Sequence, residues 1–263
     1  MFSFLRRVIN SKEIIFSLAR NEVRQRYTGT AAGAIWAIMQ PLSVITVFWF
    51  VFSVGFKAVG PNNMPFLAYF LPAFIAWMYF SEVVNNSPQM IISKSYLVKK
   101  TIFPSEILPI ISLISLFWVH LIIVGISLLV IVSQGYLLTW KILLLPLPLG
   151  LLLVMALGLG WLISSINVFY RDAGQVVLIL TNMWFWMTPI VWAIDIVPTT
   201  YRFLFELNPF YLIVEGYRFA LIDSYVFPGR PLLWISAFIC AFGSLLIGGL
   251  IFRRLKLEFA DEL

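Results

Sequence analysis

The chain has 263 residues, 61% of them hydrophobic and 11% charged, with a net charge of +6 and a mean hydropathy of +0.95. A soluble domain of that length has nowhere to hide so much apolar surface, so the composition excludes one and predicts an all-α integral membrane protein. The positive balance is met by anionic lipid headgroups; a nucleic-acid reading needs a solvated basic face with aromatic readers, which the sequence lacks.

Residues 1–30 are too polar to cross a bilayer. Leu5, Val8, Ile9, Ile15, Leu18 and Val23 fall near helical spacing, with Arg6, Arg7, Lys12, Glu13, Arg20 and Arg24 around the rest of the helix. The pattern predicts an amphipathic helix lying along the inner membrane surface, with a plain helical lead-in as the simpler reading. Glu22 and Arg26 stand four apart and are expected to pair, for about 0.3 kcal/mol. The opening Met-Phe-Ser-Phe-Leu-Arg-Arg puts charge where the apolar region of a cleavable signal would begin.

Six spans are predicted, at about 34–56, 65–86, 107–133, 142–168, 173–195 and 231–252, in a single transmembrane domain covering 1–263. Pro41, Pro72, Pro109, Pro146, Pro148 and Pro189 lie in or beside them, which fits kinked helices around a cavity or moving parts. Between the second and third spans, Tyr96, Leu97, Val98, Lys99 and Lys100 mix apolar and cationic groups. That loop is expected to dock a cytoplasmic partner, or else to hug the membrane as a lysine-anchored turn. The segment 196–230 holds apolar runs too short to cross, such as Phe210–Val214, punctuated by Pro198, Asn208-Pro209 and Pro228. It reads as re-entrant or interfacial helices on the outer side, with a small periplasmic cap as the alternative.

Most of the 18 Lys and Arg residues fall before the first span, in the 94–100 loop, at Arg171 and in the tail at Arg253, Arg254 and Lys256. The positive-inside rule then places both termini in the cytoplasm, and an even number of spans agrees by putting them on one side.

Several chemistries are excluded. No Gly-Lys pair exists, so no phosphate-cradling loop is available and the chain is not expected to hydrolyse ATP itself. His120 stands alone in the third span; metals want three or four ligands, so a hydrogen bond to a neighbouring helix is its expected role. The single Cys, Cys240, cannot form an intrachain disulfide. No catalytic, cofactor-binding or metal residue is proposed. The rings are the conspicuous feature: 24 Phe, 10 Trp and 10 Tyr. Many belong to interfacial belts or packing. Tyr69, Phe74 and Trp77 around the second span, and Trp184-Phe185-Trp186 in the fifth, suggest in addition a surface on which sugar rings slide.

Arg24-x-Arg26-Tyr27-x-Gly29-x-x-x-Gly33-x-x-Trp36-x-x-x-x-Pro41 resembles the N-terminal signature of the ABC type-2 permeases that export polysaccharides. Lys99-Lys100-x-x-Phe103-Pro104-x-Glu106-x-x-Pro109, Tyr170-Arg171-Asp172 with Thr188-Pro189-Ile190, and Asn208-Pro209 with Tyr217-Arg218 match later parts of the family in order. Ala32 departs from it, where relatives usually carry Leu. The resemblance covers nearly the whole chain. It implies six spans, a homodimer, and two separate ATP-binding cassette subunits that hold the ATP and magnesium. It further implies a coupling helix around Lys99 and Lys100, and a lipid-linked O-antigen, capsule or teichoic-acid glycan as cargo at the bacterial inner membrane. Arg24, Arg26, Tyr27 and Arg171 would sit at the cytoplasmic mouth, where guanidinium groups suit a pyrophosphate-linked lipid head. Export of a drug or small lipid by the same fold is the alternative. A transferase acting on lipid-linked sugars ranks last, because Glu82, Asp195, Glu206 and Glu215 are not spaced as a catalytic pair.

Overall fold

The structure, a computed structural model, describes residues 11–27, 33–99, 103–227 and 229–263. Its helices are α1 (Lys12–Tyr27), α2 (Trp36–Trp49, continued by π-helical turns over Phe50–Gly55), α3 (Phe66–Asn86), α4 (Gln89–Ile92), α5 (Ser95–Val98), α6 (Leu108–Ser133), α7 (Pro146–Phe169), α8 (Ala173–Trp186), α9 (Thr199–Glu206), α10 (Pro209–Leu221), α11 (Pro231–Leu255) and α12 (Phe259–Glu262). Among the described residues there is no β-strand, only an isolated bridge between Val59 and Pro65.

Among the described residues, five helices are long and apolar enough to cross a membrane: Trp36–Gly55, Phe66–Asn86, Ser105–Ser133, Trp140–Phe169 and Pro231–Leu255. They fall within a few residues of the first, second, third, fourth and sixth predicted spans. The fifth, expected over 173–195, departs from expectation. Its helix α8 has 14 residues, or about 21 Å at 1.5 Å per residue, against a hydrocarbon core of about 30 Å. Thr188-Pro189 ends it, because the residue before proline is pushed out of the helical region and proline brings no N–H. The chain then runs through Thr188, Ile190 and Val191 as buried, non-helical backbone. Such backbone is tolerated at membrane depth only when enclosed by protein.

Most of the prolines begin helices rather than bend them. Pro109, Pro146, Pro209 and Pro231 occupy the first two positions of α6, α7, α10 and α11, where a missing N–H costs nothing. Pro41 and Pro72 are the helix-interior cases in α2 and α3.

The core is built around α3, which packs on α6, α7, α8 and α10. Phe70, Ile75, Phe80, Ala73 and Ala76 of α3 have no exposed surface. α7 and α11 make the most extensive helix pair. A methyl group on Gly248 would land on the Gly158 carbonyl, and one on Gly158 would meet the backbone of Ser244 and Leu245. Small residues at this crossing let two backbones touch, the packing device available when lipid supplies no hydrophobic drive between helices.

α1 lies against α6 through Ile15 and Ala19, in a second cluster with Ile107, Leu108, Ile111, Trp161, Phe252 and Phe259. The expected Glu22–Arg26 pair within the helix is replaced by tertiary partners. Glu22 accepts from Lys94 and from the Ser115 hydroxyl at 3.0 Å, whereas Arg26 pairs with Glu82 of α3. The leading segment of the predicted amphipathic pattern (Leu5, Arg6, Arg7, Val8, Ile9) lies outside the described residues. One end of the bundle therefore gathers α1, α4, α5, α12 and the 170–172 turn; the other gathers the 57–65 and 134–139 turns, α9 and the segment after α10.

Candidate functional site

At the α1 end, a cleft of about 400 Å3 opens between α2 and α3. Gln40 and Pro41 line one wall; Phe74, Met78, Ser81, Glu82, Asn85 and Asn86 line the other. Arg26 of α1 reaches Glu82, and Thr181 of α8 donates to Asn85 at 2.8 Å. Polar and ionisable groups on apolar helices are expensive, and they mark paths for polar substrates. Arg24 and Tyr27 are exposed nearby on α1, and Phe16, Arg20 and Arg24 follow one another at helical spacing along a surface groove. Arg171 is exposed on the turn between α7 and α8. Asn167 fixes that turn, donating to the Pro88 carbonyl at 2.9 Å and accepting from the Gly174 N–H at 3.1 Å.

From this cleft a ladder of rings runs along α2 and α3 toward the other end. Phe74 stacks on Phe70 at 4.8 Å, Phe70 on Phe66 at 5.2 Å and Phe66 on Phe52 at 5.2 Å between centroids. Phe48 bridges Phe70 at 5.1 Å and Phe185 at 6.0 Å. The three consecutive rings of α8 divide as a helix requires. Trp184 turns inward, its indole N–H donating to Asn208 at 2.8 Å, Phe185 joins the ladder, and Trp186 is 57% exposed. Tyr69, Phe74 and Trp77 are buried within the chain. Phe74 reaches the cleft between α2 and α3, Tyr69 reaches a cavity at the opposite end, and Trp77 packs edge-on against Trp184 at 6.0 Å.

At the far end the organising group is Arg218 of α10, with no exposed surface. Its guanidinium donates to the Tyr69 carbonyl at 3.0 Å, the Glu215 carboxylate at 2.8 Å, and the Pro189 and Ile190 carbonyls at 2.7 and 3.1 Å. It also lies 3.6 Å over the Tyr69 ring. One cation thus satisfies the carbonyls freed where α8 breaks and ties that break to α3 and α10. Glu215 accepts in addition from Tyr225 at 2.8 Å. Burial, with the Glu215 carboxylate adding to it, pushes the Tyr225 hydroxyl above its ordinary value, so it stays a donor. Asn208 caps α10 by accepting from the Phe210 N–H at 3.0 Å while donating to Thr188 at 2.8 Å. Asn-Pro as N-cap and first residue is a standard helix start.

Between α3 and α6, α4 and α5 form one-turn helices. Met90 and Ile91 are buried, and Tyr96 is 64% exposed. Leu97 is half-buried and Lys99 exposed. Val98 packs in the cluster of Phe252 and Phe259, against the chain's own C-terminal turn. Lys100 lies outside the described residues. His120 meets its expectation: its Nε2 lies 3.0 Å from the Tyr217 hydroxyl on α10. Cys240 is exposed on α11. Among the described residues no group of His, Cys, Asp and Glu is arranged to hold a metal ion.

Asn85, Thr181 and Asn167 escaped the sequence reading because single polar residues in apolar spans carry no spacing signal. Arg218 had one available: it and Glu215 are the only charges inside the otherwise greasy run 209–221, a cost that demands a purpose-built partner set.

Comparison with known proteins fits this arrangement. Residues 13–222 match the family model described as ABC-2 type transporter. The chain is similar to the O-antigen export system permease protein RfbA of Klebsiella pneumoniae, at 24% identity over 95% of each chain, and to its Myxococcus xanthus counterpart, at 23% over the full length of both. It is also similar to the polysialic acid transport protein KpsM of Escherichia coli, at 22% over 86% of this chain and 88% of that one. With a match over most of its length and five membrane-crossing helices, this multi-pass membrane protein belongs to the ABC-2 type transporter family.

Proposed function

We propose that the chain is the membrane-embedded permease half of an ATP-driven exporter that moves a lipid-linked polysaccharide outward across the inner membrane. The observation that carries this reading is end-to-end similarity to permeases named for O-antigen and polysialic acid, joined to a polar cleft between α2 and α3 that opens beside a stack of rings. Both termini lie in the cytoplasm, and α1 rests at the inner interface with Phe16, Arg20 and Arg24 facing outward. The sixth crossing is completed by α8, the buried break after it and the re-entrant pair α9–α10.

The uncovered apolar face of α2 and α8 supports a homodimer. Only 6% of the apolar window of α2 is buried in the chain, and Val47, Phe50, Met183 and Trp186 expose wide apolar surfaces on α2 and α8. A second copy set against this side would enclose the open rings Trp49, Phe50 and Trp186 in a shared passage, with the buried stack of Phe66, Phe70 and Phe74 packed behind them. Aromatic faces then offer the glycan many weak, equivalent contacts, which permit sliding. Arg24, Arg26 and Arg171 meet the phosphates of the lipid head. Tyr96, Leu97 and Lys99 provide the outward face that seats in each of two ATP-binding subunits, which hold ATP and magnesium; Val98 supports that face from within.

The test is ATP-dependent transfer of a defined lipid-linked glycan by the purified permease–ATPase complex in vesicles. Transfer that needs both proteins and ATP is expected. Equal transfer by vesicles containing this chain alone, without nucleotide, would overturn the reading.

A further inference from the structure

The end of the bundle opposite α1 holds a second cavity, of about 410 Å3, built from four separate turns of the chain. That size lies within the range of about 300–1,000 Å3 common to small-ligand sites. Asn62, Asn63, Tyr136, Asp195, Tyr211 and Tyr225 contribute to its wall.

Its chemistry selects a ligand class. The carboxylates on the wall are already compensated: Glu215 is held by Arg218 and Tyr225, and Asp195 lies 3.7 Å from Arg202. The one lining guanidinium, Arg230, is paired with Glu206. An ion of either sign therefore finds its countercharge taken. What remains uncommitted is neutral: among the described residues, the hydroxyls of Tyr136 and Tyr211 and the side-chain amides of Asn62 and Asn63 make no hydrogen bond. Tyr211 is only 3% exposed, and it lines the cavity. Asn62 and Asn63 sit at φ of +54° and +59°, a left-handed backbone that costs energy and is kept where the surroundings hold it. Phenol rings beside neutral donors and acceptors suit a molecule with one C–H face and a rim of hydroxyls.

We propose that this cavity is a binding site for a neutral pyranose unit, contacted by the exported chain as it emerges. The proposal rests on the polysaccharide reading above, which places this end on the outer side. A polymer held here at one sugar is hindered from slipping back while the permease resets.

The test is saturation-transfer NMR on the full chain in lipid nanodiscs, using the methyl α-pyranosides of glucose, galactose and mannose as probes. At least one is expected to bind. Tyr211→Phe, which keeps the ring and removes only the hydroxyl, is expected to weaken binding about threefold to tenfold, and Tyr136→Ala to weaken it further. Leu250→Ala, exposed on α11 toward the opposite end of the bundle, leaves it unchanged. Absence of binding by all three probes, or binding that Tyr211→Phe and Tyr136→Ala leave intact, overturns the site. Surface glycan measured in cells separates the two readings: normal export with no pyranoside binding removes the site and keeps the exporter. Binding lost on Tyr136→Ala in a chain whose deletion leaves surface glycan unaltered keeps the site and removes the exporter.

Discussion

α2 and α3 are sequential helices of 20 and 21 residues, and hydropathy ranks α2 as the more apolar, at 1.9 against 1.5. Their burial runs the other way. Within the chain, 6% of the α2 window is buried against 78% of that of α3. In water the greasier helix would be the central one. In lipid, apolar side chains gain nothing by leaving the solvent, so helix position is decided by packing shape and polar partners. α3 has both: Ala68, Ala73 and Ala76 admit close neighbours, Tyr79 donates to the Leu113 carbonyl at 2.9 Å, and its ends meet Arg26 and Arg218. α2 carries Val44, Val47, Phe50 and Val54 toward the outside. Its apolar surplus is spent against lipid or a second protein.

The comparison is best broken at the Arg218 tie of α3. Arg218→Ala leaves the buried Glu215 without its cation and three carbonyl groups without the guanidinium, and is expected to cost roughly 3–5 kcal/mol. Size-exclusion profiles in detergent should show aggregated or unfolded protein; a monodisperse, thermally unchanged variant would mean the node does not hold the fold. Next comes a matched truncation. Phe80→Ala in α3 is expected to lose about 3 kcal/mol by leaving a cavity, whereas Val47→Ala in α2 stays within about 0.5 kcal/mol. Equal losses in a thermal-shift assay would contradict the burial contrast.

The same contrast can be sharpened by cross-linking. In a Cys240→Ser background, Val47→Cys should yield a covalent dimer on oxidation in membranes, and Ala76→Cys none. Dimer from both, or from neither, would separate α2 from the proposed shared passage. At the α1 end, Leu97→Asp is expected to cut co-purification with the proposed ATPase subunit about tenfold by burying a charge at an apolar seat. Undiminished co-purification counts against that docking face. The smallest effect is at the cleft. Arg26→Ala leaves assembly intact and reduces glycan export by a few fold to about tenfold, the scale of one charge-assisted contact. Normal surface glycan would remove Arg26 from the proposed headgroup path.

Much of the architecture was legible in the chain itself. A run of about 20 apolar residues can only be a crossing helix, because every backbone group in lipid must find its partner within the segment. Hence five of the six predicted spans coincide with crossing helices to within a few residues. The exception, 173–195, carries an apolar helix, but Thr188-Pro189 ends it and Arg218, 28 and 29 residues from the carbonyls it satisfies, makes the break tenable. Helix pairing across such distances leaves no local pattern. The same holds for Glu22 and Arg26, whose spacing suggests each other and whose partners lie on α3, α6 and the loop after α4.

Composition and periodicity therefore determined that this is a helical membrane protein, roughly where it crosses, and that it has no nucleotide loop. The tertiary structure alone decided which helix is central, which rings are enclosed and which remain open, and where the polar cavities lie. The reason is physical. Insertion depends on sums over contiguous residues, whereas packing in lipid depends on shape and hydrogen-bond matches between residues far apart in sequence.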